Sequence, residues 1–362
     1  MRNHRAPRTI ERQLCETYLQ MSHDERPLAE SLNEFRDSTI IVAEGFEERS
    51  LGVLEAFARA GARARGIVIG RYETGDDLNG LYRDRFEQLA QLVAPGSWEV
   101  LPNYNDGEWV RAALAGSDDV VLVDITGVSN RALFPTLDAL SASGRKVSIV
   151  YTEAAEYWPK HADWKRLRHQ LTTHESLAEL VDKQPWLFSY EHRVEIVAGH
   201  EGYDASGSGR ALVAFLHYKC ARLAAVLAIE DYSDMMFIAG RPRSSELAWR
   251  VGALKQINES LTKGWPVVEM KTFGYRNTLR RLMNLLIRED SLLWRYDVHF
   301  AALGSKLQTV GSWVFSGIVP SITVITSVPS RYFREAFSEG IGRSWVLELV
   351  PPDAGTYSRD EI

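Results

Sequence analysis

The stretch DDVVLVDITGVSNRALFPTLDALSASGRKVSIVYTEAAEYW, residues 118–158, carries the pattern that decides the fold. Its apolar run at 120–123 is typical of a buried parallel strand, and 147–151 has the same character. Between the two, apolar residues at helical spacing follow a loop of small and hydroxyl-bearing residues, 124–130. Such a loop joins the carboxyl end of a parallel strand to the N-terminus of a helix, where free backbone N–H groups favour anions.

The same arrangement returns near the C-terminus. Residues 296–302 are a predicted strand, 303–308 a loop, 309–316 a helix and 322–326 the next strand. The later copy therefore places a second polar loop before a second helix.

Three segments of the first half align with three segments of the second half. The aligned pairs begin at Ile40 and Leu212, at Ile67 and Phe237, and at Val147 and Ile322. The middle pair places Gly240 and Arg241 on Gly70 and Arg71. Matches at three successive places indicate an internal duplication.

Predicted strands and helices alternate with short loops from residue 39 onward. This pattern predicts an α/β fold of two tandem Rossmann-like units with mostly parallel sheets, plus an N-terminal helical arm. The predicted segments are the arm at 1–37, the first unit at 38–158, a connector at 159–210, the second unit at 211–350 and a tail at 351–362. The apolar face of the arm helix is expected to consist of Ile10, Leu14, Tyr18 and Met21.

Composition narrows the class of protein. The 362 residues are 45% hydrophobic and 25% charged, which suits one large or two medium globular domains. A net charge of −6 argues against a general binder of nucleic-acid backbones. With only Cys15 and Cys220, and no run of 18 apolar residues, we expect a cytoplasmic protein without disulfides, signal peptide or membrane span.

Motifs for common cofactors are missing from the sequence. No G-x-G-x-x-G follows the first strand, which argues against a dinucleotide cofactor. The nine histidines form no H-x-x-x-H or H-E-x-x-H zinc pattern, and His192 and His200 are expected to be surface or packing residues. We therefore expect neither a cofactor nor a metal.

Acidic residues follow three strands of the first unit. Glu44, Asp124 and Glu153 should lie at one carboxyl edge, where converging carboxylates can serve as catalytic acid and base or bind a ribose hydroxyl. Salt bridging and helix capping are the plainer alternative. In the second unit the alignment replaces these acids by Leu216, Ala302 and Val328.

The second unit carries basic residues at the equivalent edge, namely His217, Lys219, Arg241, Arg243 and Lys306. Gly304, Ser305 and Lys306 together offer a close backbone approach, a hydroxyl and a cation at a helix start, which suits a phosphate. Their counterparts in the first unit are Thr126, Gly127 and Ser129. The alternative is an ordinary capped helix. The contrast between an acidic and a basic edge is the main functional indication.

The segment LGSKLQTV, residues 303–310, resembles the glycine–threonine–lysine motif of CARF domains, the CRISPR-associated Rossmann fold. DITGVS at 124–129 resembles the same loop; serine replaces the usual threonine at 305, and the first copy has no lysine. Paired units of this kind, here roughly 38–158 and 211–350, are also what SAVED domains look like. The resemblance implies binding of a cyclic oligonucleotide messenger in antiviral defence, and some CARF members cleave theirs.

On that resemblance the messenger phosphates would lie at Gly304, Ser305 and Lys306, with Thr126 and Ser129 as the counterpart. The hypothesis is a nucleotide-sensing module whose ligand lies between the carboxyl edges of the two units, with Arg241 and Arg243 assisting. It would signal to a protein effector, and it could act as a homo-oligomer.

Two other functions stay open. The first is an enzyme that hydrolyses an N-glycosidic or phosphodiester bond of a nucleotide or nucleic acid, with Glu44, Asp124 and Glu153 as catalytic groups. The second is a non-catalytic partner subunit of a defence complex. The sequence does not decide whether the protein is an enzyme.

Overall fold

The computed structural model describes residues 8–72, 79–103, 106–115, 120–172, 179–180, 183–184, 186–187, 189–202, 209–330 and 337–352. The chain divides into two compact units. The first unit consists of Glu25–Phe188 and Arg331–Leu349. The second consists of Met1–Asp24, Ser189–Ser330 and Val350–Ile362.

The α-helices are short, with the longest between three and four turns. They are α1 Thr9–Met21, α2 Leu28–Ser31, α3 Gly52–Arg59, α4 Arg83–Val93, α5 Glu108–Ala115, α6 Asn130–Ala142, α7 His161–Thr172, α8 Ala221–Leu227, α9 Trp249–Ile257, α10 Glu259–Thr262, α11 Tyr275–Leu286, α12 Leu292–Arg295 and α13 Lys306–Ile318.

The β-strands alternate with these helices along the chain. They are β1 Arg26–Pro27, β2 Thr39–Ala43, β3 Gly66–Tyr72, β4 Trp98–Asn103, β5 Val121–Asp124, β6 Val147–Thr152, β7 Glu156–Tyr157, β8 His192–Ile196, β9 Arg210–Phe215, β10 Asp234–Arg241, β11 Val267–Lys271, β12 Asp297–Ala301, β13 Ile322–Pro329, β14 Ser338–Glu339 and β15 Ser344–Glu348.

The sheet of the first unit has the strand order β1-β15-β6-β5-β2-β3-β4. Strands β2 to β6 are parallel, whereas β15 runs antiparallel to β6 and β1 runs antiparallel to β15. Ile40, Ile41 and Val42 of the central strand β2 are fully buried, as a strand covered by helices on both faces must be. Ile40 and Val42 belong to one core cluster with residues of α3 and α4.

The sheet of the second unit has the order β11-β10-β9-β12-β13-β8, with β8 antiparallel to β13 and the others parallel. When only the parallel strands of each unit are numbered along the chain, β2–β6 in the first and β9–β13 in the second, both sheets have the order 3-2-1-4-5. In both, an antiparallel strand follows the fifth parallel strand. The predicted α/β class with mostly parallel sheets is confirmed. In each sheet the order reverses between strands one and four, β2 and β5 or β9 and β12, and ligands bind outside such a switch point.

The antiparallel strands β15 and β8 come from unexpected parts of the chain. β15 lies within the segment 211–350, predicted as the second unit, yet it pairs with β6 of the first sheet. β8 lies within the predicted connector, 159–210, and pairs with β13 of the second sheet. Both pairings join strands that the local sequence pattern does not relate.

The N-terminal arm is helical, and its predicted apolar face is buried only in part. In α1 the buried residues are Cys15, Tyr18 and Leu19, and Leu14 is half-buried, whereas Ile10 is 49% exposed and Met21 47% exposed. Tyr18 Oη donates to the carbonyl oxygen of Val350 at 2.9 Å. The two ends of the predicted face were wrong because apolar residues at helical spacing do not reveal which neighbours will cover them. Within the described ranges, no helix combines the length and apolar character needed to cross a membrane.

Strand pairing corrects one position of the alignment between the units. The alignment matches Val42 with Ala214. Asp124 lies opposite Val42, and Ala301 lies opposite Ala214. The residue that replaces Asp124 is therefore Ala301 and not the predicted Ala302. The loop before the next helix is one residue shorter in the second unit, and the sequence does not show where that residue is lost.

The glycine match is also out of register. The backbone N–H of Glu44 donates to the carbonyl of Gly70 at 2.9 Å, and that of Leu216 donates to the carbonyl of Ile238 at 2.8 Å. Ile238 thus takes the place of Gly70, and the predicted partner Gly240 lies two residues farther along β10.

Candidate functional site

Two loops meet at the switch point of the first sheet. They follow β2 and β5, and a Cβ on Gly45 would lie 3.2 Å from Gly127 Cα. A Cβ on Gly127 would lie 2.1 Å from the carbonyl oxygen of Ala43. Because that neighbour is backbone, only glycine allows this close approach.

Gly127→Ala is expected to lower the Tm of the first unit by about 4–8 °C, because the methyl group forces two backbone segments apart at a cost of about 2 kcal/mol. Scanning calorimetry measures the shift. Gly80→Ala is the matched control, since a Cβ there meets only the end of the Arg83 side chain at 3.6 Å. Equal Tm values for the two variants would contradict the steric argument.

Glu44 is buried in an ion pair with a residue of the next strand. Its Oε1 accepts from Arg71 Nε at 2.9 Å and from Arg71 Nη2 at 2.7 Å. Arg71 Nη2 also contacts Glu87 of α4 at 2.8 Å. Glu44 Oε2 is buried without a hydrogen-bond partner in the described part of the chain, and Arg83 Nε lies 4.0 Å from it. Glu44 therefore joins strand and helix in the first unit.

Asp124 organises the loop after β5. It is 1% exposed, and its Oδ1 accepts from the backbone N–H of Thr126 at 2.8 Å. Thr126 Oγ1 in turn accepts from the backbone N–H of Thr152 at 2.8 Å, which fixes the loop to β6. Burial raises the pKa of Asp124 to about 7, and the hydrogen bond from Thr126 and the charge of Arg49 oppose that rise.

Ser129 caps helix α6, and its own backbone N–H is engaged. Ser129 Oγ accepts from the N–H of Ala132 at 3.1 Å. The backbone N–H of Ser129 donates to Tyr72 Oη at 2.7 Å, and Tyr72 Oη donates to the carbonyl of Gly127 at 3.3 Å. Tyr72 thus holds the loop that the sequence offers as a ligand-binding counterpart.

Glu153 has a partner of its own. Its Oε2 accepts from Trp345 Nε1 of β15 at 2.8 Å. No hydrogen bond or ion pair within the described residues joins Glu153 to Glu44 or Asp124. Among the same described residues, no group of three or more His, Cys, Asp or Glu side chains is arranged to hold a metal ion.

A buried arginine, Arg49, lies at the same edge. Arg49 donates to both carboxylate oxygens of Glu47, at 3.2 Å from Nε and 2.7 Å from Nη2. Its Nη1 donates to Tyr151 Oη at 3.2 Å and to the carbonyl of Thr152 at 3.4 Å. The guanidinium therefore meets a carboxylate, a phenol and a strand end, and Glu47 balances its charge.

The predicted phosphate loop of the second unit forms a capping box. Ser305 Oγ accepts from the N–H of Gln308 at 3.2 Å, and the Ser305 N–H donates to Gln308 Oε1 at 2.9 Å. The Ser305 hydroxyl donates to the carbonyl of Thr272 at 2.6 Å. Two donors expected to bind phosphate are thus used inside the protein, as the capped-helix alternative requires. Gly304 contacts the same glutamine, and Lys306 is half-buried.

Arg241 and Arg243 are exposed. The carbonyl of Arg241 accepts from the backbone N–H of Thr272 at 2.9 Å, so the Arg241 backbone extends the hydrogen bonding between β10 and β11. The guanidinium of Arg243 lies 5.1 Å from the centre of the Phe273 ring.

Four basic residues gather at the carboxyl edge of the second sheet. We call them the basic cluster: His192, His217, Lys219 and Arg222. Lys219 is only 6% exposed. Its backbone N–H donates to His217 Nδ1 at 3.0 Å. Ser327, at the end of β13, joins two members, because its hydroxyl lies 2.9 Å from His192 Nδ1 and its carbonyl accepts from Arg222 Nη2 at 3.5 Å.

Protonation in the basic cluster is disfavoured. Burial and the charge of Arg222 lower the pKa of Lys219 to about 8. Burial, with Arg222 and Lys219, lowers the pKa of His192 to about 4 and that of His217 well below its usual range. At neutral pH the cluster therefore carries a buried cation, Lys219, and a half-buried one, Arg222, beside two neutral imidazoles.

The two edges differ in charge at one aligned position. The alignment that starts at Ile40 and Leu212 places Lys219 on Glu47. Arg49 reaches the carbonyl of Thr152, and Arg222 reaches that of Ser327, the residue aligned with Thr152. The first unit places a glutamate beside its arginine, whereas the second unit places a lysine beside its arginine. The basic second edge was predicted, but the participation of Arg222 and His192 was not.

Comparison with protein-family models and with curated protein sequences gives no match. Several solved structures do match. A Type III CRISPR defence DNA nuclease activated by cyclic oligoadenylate is 13% identical with a TM-score of 0.44 over 77% of this chain. The chain spans 63% of the length of that nuclease chain.

Two further matches have lower TM-scores. A universal stress protein from Archaeoglobus fulgidus DSM 4304 is 12% identical, with a TM-score of 0.23 over 81% of this chain and 96% of its own. The cytoplasmic domain of a prokaryotic cation chloride cotransporter is 9% identical, with a TM-score of 0.24 over 82% of this chain and 96% of its own. At these TM-scores the likenesses carry no conclusion about function.

Proposed function

We propose that the chain is a nucleotide-sensing module that binds the phosphate of its ligand through the basic cluster of the second unit. The observation that supports this most is the replacement of Glu47 by Lys219 at aligned positions. A buried lysine beside a half-buried arginine costs stability because the like charges repel, and an anionic ligand offsets that cost. Phosphate satisfies both cations through charge-assisted hydrogen bonds.

The position of the cluster in the fold also suits a ligand. Lys219 follows β9, one of the two strands at the switch point of the second sheet. The loop after β12 lies beside it, since a Cβ on Gly304 would be 3.2 Å from the Phe215 ring at the end of β9. Nucleotides bind in the crevice between two such loops. Lys306, at the start of α13, would add a cation from the second loop.

A cyclic oligonucleotide is the ligand class that the CARF-like segments at 124–129 and 303–310 favour. We therefore propose a role in antiviral defence and expect the module to act on a protein effector. The contribution of Thr126, Gly127 and Ser129 would be to shape the loop of the first unit.

The proposal predicts that phosphorylated ligands stabilise the protein. A melting-temperature screen should include cyclic oligonucleotides, ATP and pyrophosphate, with the matching nucleosides as uncharged controls. A ligand at about 100 times its Kd adds about 2.7 kcal/mol to the free energy of unfolding. Lys219→Gln should remove the shift, whereas Lys263→Gln, at an exposed lysine of the same unit, should keep it. Stabilisation by nucleosides alone, or by none of the ligands, would refute the proposal.

The hydrolytic alternative depends on Asp124, because a pKa of about 7 suits a general acid or base. Its carboxylate is 1% exposed and would have to be uncovered to reach a substrate. Chromatography of each ligand after incubation with the protein tests this alternative. Product formed by the unchanged protein but not by Asp124→Asn would favour an enzyme over a sensor.

A further inference from the structure

A small cleft in the first unit has a chemistry opposite to that of the basic cluster. Its volume is about 160 Å³. Residues from the loop after β2, the turn before α4 and the segments around β7 and β14 line it: Phe46, Glu47, Glu48, Tyr82, Trp158, Phe337, Ser338 and Glu339. We call it the aromatic cleft.

Four aromatic rings from four separate segments form the walls, those of Phe46, Tyr82, Trp158 and Phe337. The rings of Phe46 and Phe337 meet edge to face with their centres 5.3 Å apart. The backbone N–H of Trp158 donates to the carbonyl of Phe337 at 3.1 Å, which fixes those two residues side by side. Aromatic faces gathered in this way attract cations through the ring quadrupole.

The polar lining of the aromatic cleft is acidic. It contains Glu47, Glu48 and Glu339, and the described residues that line it include no lysine, arginine or histidine. Glu47 is held in place by Arg49 and by the Ser338 hydroxyl. Because Glu47 balances the charge of Arg49, the negative charge of the cleft comes from Glu48 and Glu339. These two carboxylates beside four rings favour a positively charged occupant.

An ammonium group of the chain itself already uses this chemistry at the mouth of the cleft. Lys160 Nζ lies 4.4 Å from the centre of the Trp158 ring and 3.4 Å from Glu339 Oε2. It also pairs with Glu156 at 2.5 Å. Because the Lys160 side chain is exposed, another cation can displace it at little cost.

We propose that the aromatic cleft binds a small organic cation, a compact ammonium group whose alkyl substituents contact the rings while its charge faces the carboxylates. The volume supports a head group of this size, because pockets for drug-sized ligands measure about 300–1,000 Å³. The cation would occupy the first unit and would not depend on the nucleotide proposed for the second.

Isothermal titration calorimetry with the full chain tests the proposal. The probes are choline, with a quaternary ammonium, and butylamine, with a primary one; 3,3-dimethylbutan-1-ol has the shape of choline without its charge. Choline or butylamine should bind, and the alcohol should bind at least about tenfold more weakly. The preference between choline and butylamine identifies the type of head group.

Two variants locate the binding. Trp158→Leu should weaken it about tenfold or more, and Glu48→Gln should weaken it severalfold without disturbing the packing of the rings. Glu99→Gln, at an exposed glutamate on β4 of the same unit, is the control and should bind as the original protein does. Lys160→Gln should strengthen binding, because the competing ammonium is gone.

Equal binding of choline and the alcohol would overturn the proposal, since the site would then be merely apolar. Absence of binding by both choline and butylamine, or unchanged binding in Glu48→Gln, would also overturn it. A nucleotide that fails to bind the second unit would leave these results unaffected.

Discussion

Lys219→Glu is expected to abolish binding of a phosphorylated ligand and, at the same time, to raise the Tm. The substitution places in the second unit the acid that Glu47 provides in the first, where it holds Arg49 in two hydrogen bonds. Arg222 would gain a carboxylate neighbour, and the buried lysine would be gone. An ion pair in place of two adjacent cations removes the cost of like charges and also the reason for an anion to bind.

The lost hydrogen bond alone should lower the affinity about 10- to 100-fold, and repulsion between the new carboxylate and the phosphate adds to that loss. A hydrogen bond to a charged group contributes about 1.5–3 kcal/mol, and each 1.4 kcal/mol is a factor of ten in Kd. Lys263→Glu changes the net charge by the same amount at an exposed position and should leave both Kd and Tm nearly unchanged. Binding lost together with a lower Tm would indicate misfolding, and binding kept within about threefold would contradict the assigned role of Lys219.

Ligand affinity of the unchanged protein should also depend on pH. The pKa of Lys219 is lowered to about 8, so in the absence of ligand the side chain loses its proton as the pH rises through that value. An anion binds the protonated form, and the affinity should therefore fall between about pH 8 and pH 9. The Lys263→Gln variant, which keeps Lys219, should show the same pH dependence in a calorimetric titration, and an affinity that stays constant from about pH 7 to pH 9 would contradict the assignment.

Much of the fold could be predicted because its parallel strands are buried on both faces. Runs such as 39–43 and 147–151 contain almost only apolar residues, and turn residues separate them from the helices. The antiparallel strands β8 and β15 could not be predicted in their places, since each pairs with a distant partner through the backbone. The buried face of α1 also depended on residues such as Val350, far away in the sequence.

At the site, the sequence supplied the contrast of charge and two members of the basic cluster, His217 and Lys219, but not the other two, His192 and Arg222. Ser305 has the residue type of a phosphate loop, yet its N–H and hydroxyl are bound by Gln308 and Thr272. Arg222 lies one position away from Arg49 in the alignment, so the correspondence is visible only when both are seen to reach equivalent strand carbonyls. Residue types define what a loop can bind, whereas packing determines which donors stay available.

Asp124→Asn is expected to stabilise the protein at pH 8 and to destabilise it at pH 4. The carboxyl group titrates near 3.8 in the unfolded chain and near 7 in the folded protein, where burial disfavours its charge. A folded pKa above the unfolded one gives stability that is complete below about pH 4 and is lost as the pH rises to about 7. A difference of about 3 in pKa corresponds to about 4 kcal/mol.

Asparagine keeps the acceptor for the N–H of Thr126 and removes the charge, but its amide group enters a site where Asp124 Oδ2 has no hydrogen-bond partner in the described part of the chain. An unsatisfied amide costs about 1–3 kcal/mol, so the net gain at pH 8 is about 2 kcal/mol, or about 4–8 °C in Tm. Melting curves of both proteins from pH 4 to pH 8 measure the effect, with Asp84→Asn as an exposed control in the same unit. Parallel curves for Asp124→Asn and the unchanged protein would mean that Asp124 is ionised throughout this range. In that case Arg49 and the loop N–H groups would outweigh its burial.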